Sequence, residues 1–149
     1  MPSKPAATFT AATGGDLASI ERLLGSLGLP TAGLADQFPG AYAVVIRDGA
    51  LVGCAGLERY GRVGLLRSVA VAPSAQTEGI GRALVERQLE AGRAWGLDAV
   101  YLLTTTASDY FARLGFKDAN RETVPPALSA CPEFASACPA SARCLMLPL

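Results

Sequence analysis

The sequence predicts a mixed α/β fold, of the α+β kind, in which helices flank one central sheet. Three observations carry that prediction. Residues 41–71 read as three apolar strands joined by tight turns, which makes an antiparallel meander. Residues 65–89 run from the last of these strands through the glycine-containing turn QTEGIG into an amphipathic helix. Residues 99–104, AVYLLT, then form a further apolar strand. A strand–helix–strand passage crosses over right-handed, which sets this strand parallel to the third strand of the meander. The sheet is therefore mixed.

Composition narrows the chemistry. The 149 residues favour one domain, 1–149. Half of them are hydrophobic and 17% are charged, enough apolar surface for a substantial core. Lys plus Arg and Asp plus Glu balance at 13 each, so nothing points to a nucleic-acid partner, which favours a basic patch. The apolar runs fall far short of a membrane span. The opening MPSKPAATFT lacks the apolar core of a signal peptide, so the expected location is cytoplasmic. Histidine is absent. That excludes a Ser-His-Asp or Cys-His nucleophile and any His-containing zinc site within the chain. Acid–base work falls to carboxylates, tyrosines, cysteines, water or backbone groups.

In chain order, residues 8–10 suit a first short strand. Thr13 or Asp16 caps a helix that carries Leu17, Ile20, Leu23 and Leu24 at core-facing spacing. Gly25 and Gly28-Leu29-Pro30 end it. Residues 31–38 read as a second short helix or an irregular loop. Residues 41–47 open the meander, Asp48-Gly49 is a hairpin turn, residues 50–58 return, and Arg59-Tyr60-Gly61-Arg62 turns again before residues 63–71. Residues 79–95 place Ile80, Ala83, Leu84 and Ala91 on one helix face and Arg82, Glu86, Glu90 and Arg93 on another, with Gly96 at the end. Residues 109–114 form a short helix, Gly115-Phe116 begins an extended segment, Val124-Pro125-Pro126 punctuates the tail, and residues 143–147 supply a last strand.

The turn Gln76-Thr77-Glu78-Gly79-Ile80-Gly81 is the chemically informative stretch. A strand that turns through glycines into a helix leaves several backbone N–H groups without partners, with the helix dipole adding partial positive charge. Such a cup suits a phosphate or pyrophosphate. No Gly-Lys-Ser/Thr follows, so it is not a Walker A loop, and it is not G-x-G-x-x-G either. It resembles motif A of the GNAT acyl-CoA N-acyltransferase superfamily, Arg/Gln-x-x-Gly-x-Gly/Ala after Val-x-Pro, matched by Gln76, Gly79 and Gly81 behind Val71-Ala72-Pro73. Residues 107–116, ASDYFARLGF, resemble motif B of the same superfamily, Leu/Phe-Tyr-x-Lys/Arg-x-Gly-Phe. The order of elements from about residue 9 to 116 also matches that fold, in which the central parallel strands splay apart at the crossover.

The resemblance implies acetyl-CoA as co-substrate, a small-molecule amine as acceptor and no metal; it leaves a homodimer open. It assigns the pyrophosphate to the loop and helix start, Gln76, Thr77, Gly79, Ile80, Gly81 and Arg82. It assigns the thioester to the backbone of Val69, Ala70 and Val71, whose N–H groups would stabilise an oxyanion, with Phe111 beside the coenzyme. One position departs from the pattern. Where motif B usually carries its tyrosine, four residues before the glycine, this chain has Phe111, and Tyr110 lies one residue earlier, about 100° away around a helix. Tyr110 is the tyrosine left as acid; otherwise another group serves, or the thiolate leaves with little help. Both rings also fit plain core packing. Glu58 is the candidate base, directly or through water, and equally fits a solvated strand end. Arg59, Tyr60 and Arg67 are candidate substrate contacts, and Arg67, inside an apolar strand, needs a partner if it points inward. Thr104, with Thr105 and Thr106, reaches the cleft or caps the next helix.

The four cysteines, Cys54, Cys131, Cys138 and Cys144, lack zinc-ribbon spacing. The stretches VGCAGLERYG, LLRSVAV, YLLTTTASDYFARLGF and VPPAL…EF…CPASA resemble the arsenic-resistance N-acetyltransferase branch. Thiolates suit trivalent arsenic, and Cys138 with Cys144 either bind it or pack the last strand. Three functions stay open on sequence: an N-acetyltransferase of a small amine, a coenzyme- or arsenical-binding sensor of the same fold, and a thiol-based metalloid binder.

Overall fold

A computed structural model describes residues 7–137 and 141–149. Its centre is a seven-stranded sheet with strand order β1-β2-β3-β4-β5-β7-β6. The strands are β1 (Thr8–Ala11), β2 (Tyr42–Arg47), β3 (Ala50–Tyr60), β4 (Val63–Val71), β5 (Ala99–Thr104), β6 (Lys117–Asp118) and β7 (Arg143–Pro148). The helices are α1 (Leu17–Ser26), α2 (Ile80–Ala94), α3 (Ser108–Arg113) and α4 (Pro126–Ser129). The meander and the parallel β4–β5 pair stand as expected. No helix among the described residues is long and apolar enough to cross a membrane.

Two boundaries differ from the sequence reading. β3 continues through Arg59 and Tyr60, so the turn shrinks to Gly61 and Arg62. Gly61, at φ 66°, supplies the left-handed residue that such a tight connection needs. Residues 31–38 resolve into a 3-10 turn at Leu34–Gln37. The last strand also takes a place that local pattern does not specify. β7 inserts between β5 and β6 and pairs antiparallel with both.

Alternation along β3 sorts the two layers. Cys54, Glu58 and Tyr60 face one side; Ala55 and Leu57 face the other. The Leu57 side is covered by α2, whose Ile80, Leu84, Val85 and Leu89 are buried, and by α3 through Phe111. The opposite side is covered by α1, through Ile20, Leu23 and Leu24, and by the C-terminal segment through Leu128, Cys131 and Phe134. Truncating a fully buried leucine such as Leu57 or Leu84 to alanine costs about 2–5 kcal/mol.

β4 is the irregular strand. Cys54 pairs with Ala70 and Gly56 with Arg67, so β4 carries an extra residue against β3 at this point. Ser68 absorbs the bulge at φ 58°, in the left-handed region. On the other edge, β4 pairs with β5 only at Val63–Ala99, Gly64–Val100 and Leu65–Tyr101. Past Leu65 the two parallel strands diverge. Gly56, next to the bulge, lies directly under the Tyr42 ring, and a Cβ there would overlap it. Gly56→Ala is expected to lower stability by about 1–3 kcal/mol, read from urea unfolding, because the ring is held on its other side by buried neighbours.

Candidate active site

The divergence of β4 and β5 opens a cleft of about 390 Å³ through the sheet. Leu66, Arg67, Ser68 and Val69 form one wall, and Leu102 to Ala107 form the other. Phe111 also lines it, as do Gly28, Leu29 and Pro30, with Glu133 and Ala142. Beyond Leu65 the β4 backbone groups that would bond to β5 have no strand partner there and face this gap.

The glycine turn follows β4 directly. Pro73–Ala75 makes one 3-10 turn, and the Gln76 side-chain amide donates to the Val71 carbonyl at 3.1 Å, folding the loop back on the strand end. Gly79 is the N-cap of α2 at φ 74°, with no side-chain cap and no heavy atom within 4 Å of where a Cβ would stand. The first-turn amides of Ile80, Gly81 and Arg82 precede any intrahelical partner. The cup is therefore electropositive and open at Gly79, with the Tyr110 hydroxyl and Val71 beside Gly81, which fits a pyrophosphate. Arg47 pairs with Glu78 at 2.6 Å beside it and offsets that carboxylate. Thr77 is exposed. Arg82 is exposed and paired with Glu86 at 2.9 Å. Ile80 turns its side chain into the core.

Tyr110 and Phe111 part as one residue of helix rotation requires. Phe111 is buried and lines the cleft, edge-on to Phe116 at 5.8 Å. Tyr110 sits against the first turn of α2, where its hydroxyl is 3.3 Å from the place of a Cβ on Gly81. Burial raises its pKa, with Arg82 opposing. Of the three β4 positions assigned to the thioester, Val69 lines the cleft, the Ala70 side chain is buried on the α1 side, and the Val71 carbonyl is used by Gln76.

A buried polar cluster lies around Arg67. Glu58 is not a solvated strand end: β3 runs past it, it is 1% exposed, and it accepts hydrogen bonds from the Tyr42 hydroxyl at 3.0 Å and the Tyr60 hydroxyl at 2.9 Å. Glu58 is not among the cleft-lining residues. Arg67 is 3% exposed. Its Nε lies 3.0 Å from Glu133 and 3.2 Å from the Ser68 hydroxyl, and one terminal nitrogen lies 3.8 Å from Glu58. The same guanidinium donates to the Ala32 carbonyl at 2.7 Å and the Pro30 carbonyl at 3.4 Å. Burial opposes its charge, but Glu133, Tyr42, Glu58 and Tyr60 together raise its pKa.

The structure separates the expected substrate contacts. Arg67 reaches the cleft wall with its donors engaged by protein groups. Arg59 lies on the other face of the sheet, stacked 4.3 Å over Trp95, outside the cleft. Thr104 lines the cleft, and its hydroxyl accepts from the Ala107 amide at 3.0 Å, so it holds the turn into α3. Glu133 is the cleft residue that sequence reasoning missed. It lies in a π-helical turn, Glu133–Ala137, far along the chain from Arg67, and no periodicity links the two. Cys131 and Cys144 are buried free thiols in one apolar cluster, and burial raises both pKa values. Cys138 lies outside the described residues. Among the described residues no group of three His, Cys, Asp or Glu side chains could hold a metal ion.

This splayed mixed sheet, with a glycine cup behind its bulged strand, is the architecture of an acyl-CoA transferase fold. The chain belongs to the GNAT acetyltransferase family: the model of the acetyltransferase (GNAT) domain matches residues 39–118. Its relatives include the amino-acid acetyltransferase of Neisseria meningitidis serogroup A, 30% identical over 86 residues, which are 56% of this chain and 20% of that protein. That of Azotobacter vinelandii is 34% identical over 90 residues, 59% of this chain and 21% of the relative. The chain thus matches about one fifth of these relatives' length. In fold it is similar to N-acetylglutamate synthase from Neisseria gonorrhoeae complexed with coenzyme A and L-arginine, with a TM-score of 0.81 and 23% identity over 98% of this chain and 34% of that one. Ard1 from Thermoplasma volcanium gives a TM-score of 0.75 at 20% identity, covering 97% of this chain and 98% of the other.

The buried acids in and beside the cluster set a pH dependence. Burial pushes the Cys54 thiol from 9.0 up to about 12, and burial with Glu58 raises the Tyr42 and Tyr60 hydroxyls. The folded state therefore keeps protons that the unfolded chain releases, and stability falls as pH rises. Urea midpoints are expected to hold up to about pH 9 and then fall steadily toward pH 12, with Cys54→Ala flattening the first part of the decline.

Proposed function

We propose that this chain is an acetyl-CoA-dependent N-acetyltransferase that moves an acetyl group to the amine of a small molecule in the cytoplasm. The observation that supports it most is the cleft that opens where β4 and β5 part, together with the open Gly79 turn that follows the same β4 in the chain. On this reading the first-turn amides of α2 hold the pyrophosphate. The thioester lies along the wall formed by Val69 to Val71, where backbone N–H groups meet the developing oxyanion. The amine lone pair attacks the carbonyl carbon, the N–C bond forms and the C–S bond breaks. The nitrogen gives up one proton and the coenzyme thiolate takes one, leaving an amide and a free thiol.

Phe111 occupies the cleft position where the family pattern has tyrosine, so the thiolate departs without a hydroxyl at that point. Tyr110, on the α2 turn, then contributes to coenzyme binding more than to protonation. Glu58 acts on the amine only through the cluster around Arg67. We extend the reading to arsenic detoxification, with an amine-bearing arsenical as acceptor, on the resemblance of residues 52–61 and of the C-terminal segment to arsenic-resistance N-acetyltransferases. The burial and raised pKa of Cys131 and Cys144 favour amine chemistry over thiolate capture of arsenic. The Phe111 position favours one second reading, a binding or sensing protein with little turnover.

Calorimetric titration with acetyl-CoA, followed by thiol release with a panel of amines and arsenicals, separates these. Binding with acceptor-dependent thiol release is expected; binding without release supports the sensor, and no binding overturns both. Gly79→Glu places a carboxylate in the cup and is expected to weaken acetyl-CoA binding by about 100-fold. Tyr110→Phe is expected to leave kcat within about tenfold of the parent, below the usual 10²–10⁴ worth of a general acid.

A further inference from the structure

The polar side chains at the cleft wall differ in what they can do for an amine. Arg67 has donors and no lone pair, so it cannot take a proton. Glu133 is held at Arg67 Nε and is engaged further. The Thr104 hydroxyl holds the Ala107 amide. Ser68 is different. It lines the cleft at the bulge, directly before Val69. Its hydroxyl oxygen accepts from Arg67 Nε at 3.2 Å, which leaves it a second lone pair and a proton to give.

That proton has a path inward. Tyr42, Gly56 and Arg67 stand in one row across β2, β3 and β4. Gly56 has no side chain, so the Tyr42 ring lies over it and reaches toward β4. The Tyr42 hydroxyl donates to Glu58 at 3.0 Å, and the Ser68 hydroxyl acts on the Tyr42 oxygen as a donor. Ser68, Tyr42 and Glu58 therefore form a chain in which each hydroxyl directs its proton toward the carboxylate. Tyr42 is 2% exposed and Glu58 1%, and neither lines the cleft. Ser68 is the link between the cleft and the buried carboxylate.

We propose that Ser68 is a catalytic residue that takes a proton from the bound ammonium group of the acceptor and passes it through Tyr42 to Glu58. This rests on the transferase reading and names the route to its base. The ammonium N–H bond breaks as its proton goes to Ser68 Oγ, the Ser68 proton goes to the Tyr42 oxygen, and the Tyr42 proton goes to Glu58. The freed amine lone pair then attacks the thioester carbonyl, and a second nitrogen proton goes to the departing sulfur. Glu58 returns its proton to water by the same path when the cleft empties. Burial holds the Tyr42 hydroxyl far above the ordinary phenol range, so its oxygen gives a proton only as it receives one. The groups facing Glu58 are Tyr42 from β2, Tyr60 on β3, Arg67 from β4 and Cys131 from the C-terminal segment, with Glu133 behind Arg67 and Arg121 over the Phe134 ring. Burial raises both tyrosines and Cys131, and neighbouring charges raise Arg67, so these four keep their protons up to about pH 8.5.

The test measures thiol release from saturating acetyl-CoA with phenethylamine, cadaverine, tyrosine and glutamate as acceptors, between pH 7 and 8.5. Ser68→Gly removes the hydroxyl and keeps the bulge, because glycine takes φ 58° without strain. Tyr42→Phe cuts the chain behind the cleft wall. Each is expected to lower kcat/KM by about 100-fold at pH 7, the worth of a general base. Acetyl-CoA affinity, read by calorimetry, is expected to stay within about threefold of the parent. The loss is expected to shrink by about tenfold per pH unit as free amine replaces ammonium, since a neutral amine needs no base. A merely structural role would give the same loss at every pH. Should Tyr42→Phe fail to fold, read from its urea midpoint, Ser68→Gly alone decides. A parent-like rate at pH 7 in either folded variant, a loss that does not change with pH, or the same pH-dependent loss in Glu133→Gln overturns the relay. So does a parent protein that binds acetyl-CoA yet releases thiol with none of the four acceptors. Absence of acetyl-CoA binding by the parent overturns the transferase reading and this one with it.

Discussion

The buried guanidinium of Arg67 is the interaction on which the α1-covered face of the sheet depends. A charge removed from water is tolerated only when paired and hydrogen-bonded. Arg67 meets that condition by drawing in four separate parts of the chain: the carbonyls of Pro30 and Ala32 after α1, Glu58 on β3, Ser68 on its own strand and Glu133 in the C-terminal segment. The two segments that cover this face of the sheet are thereby fastened to the same cation. Removing one partner of such a set costs about 3–5 kcal/mol, because the remaining charge stays buried. Tyr42 and Tyr60 complete the arrangement by occupying both oxygens of Glu58.

The second constraint is geometric. A regular β4 would continue its pairing with β5 and close the sheet. Instead the extra residue at Ser68 bends β4, and pairing with β5 stops at Leu65. Holding a serine at φ 58° costs about 1–3 kcal/mol, which the flanking ladder to β3 and the buried Cys54 thiol bonded to the Ser68 carbonyl at 3.2 Å help to offset. The cleft is therefore a product of local strain held by regular structure on either side. Arg67 stands next to that bulge in sequence, so the same few residues shape the gap and set its charge.

Much of this was legible in the residues. The meander, the crossover helix and the fifth strand follow from apolar period and turn chemistry, both local properties. The glycine turn was legible too, since Gly79 and Gly81 mark the passage from strand to helix, and the structure adds that Gly79 is the N-cap at φ 74°. The roles of individual polar residues were not. Glu58 read as a strand end because Arg59-Tyr60-Gly61-Arg62 looks like a turn, whereas pairing with Val63 and Gly64 extends the strand to Tyr60. Arg59 and Arg67 both read as candidate substrate contacts, and strand alternation and packing send Arg59 onto Trp95 and Arg67 into the cluster.

By itself the sequence determined the mixed α/β class, the order of the main elements, the glycine turn into α2 and the phenylalanine at 111, because each depends on neighbours within a few positions. The tertiary structure alone decided that β7 enters between β5 and β6, that β4 and β5 part after Leu65, and that Glu133 comes to rest against Arg67. Those outcomes depend on which distant segment can satisfy a buried charge or an open strand edge, and that is a property of the whole packed chain.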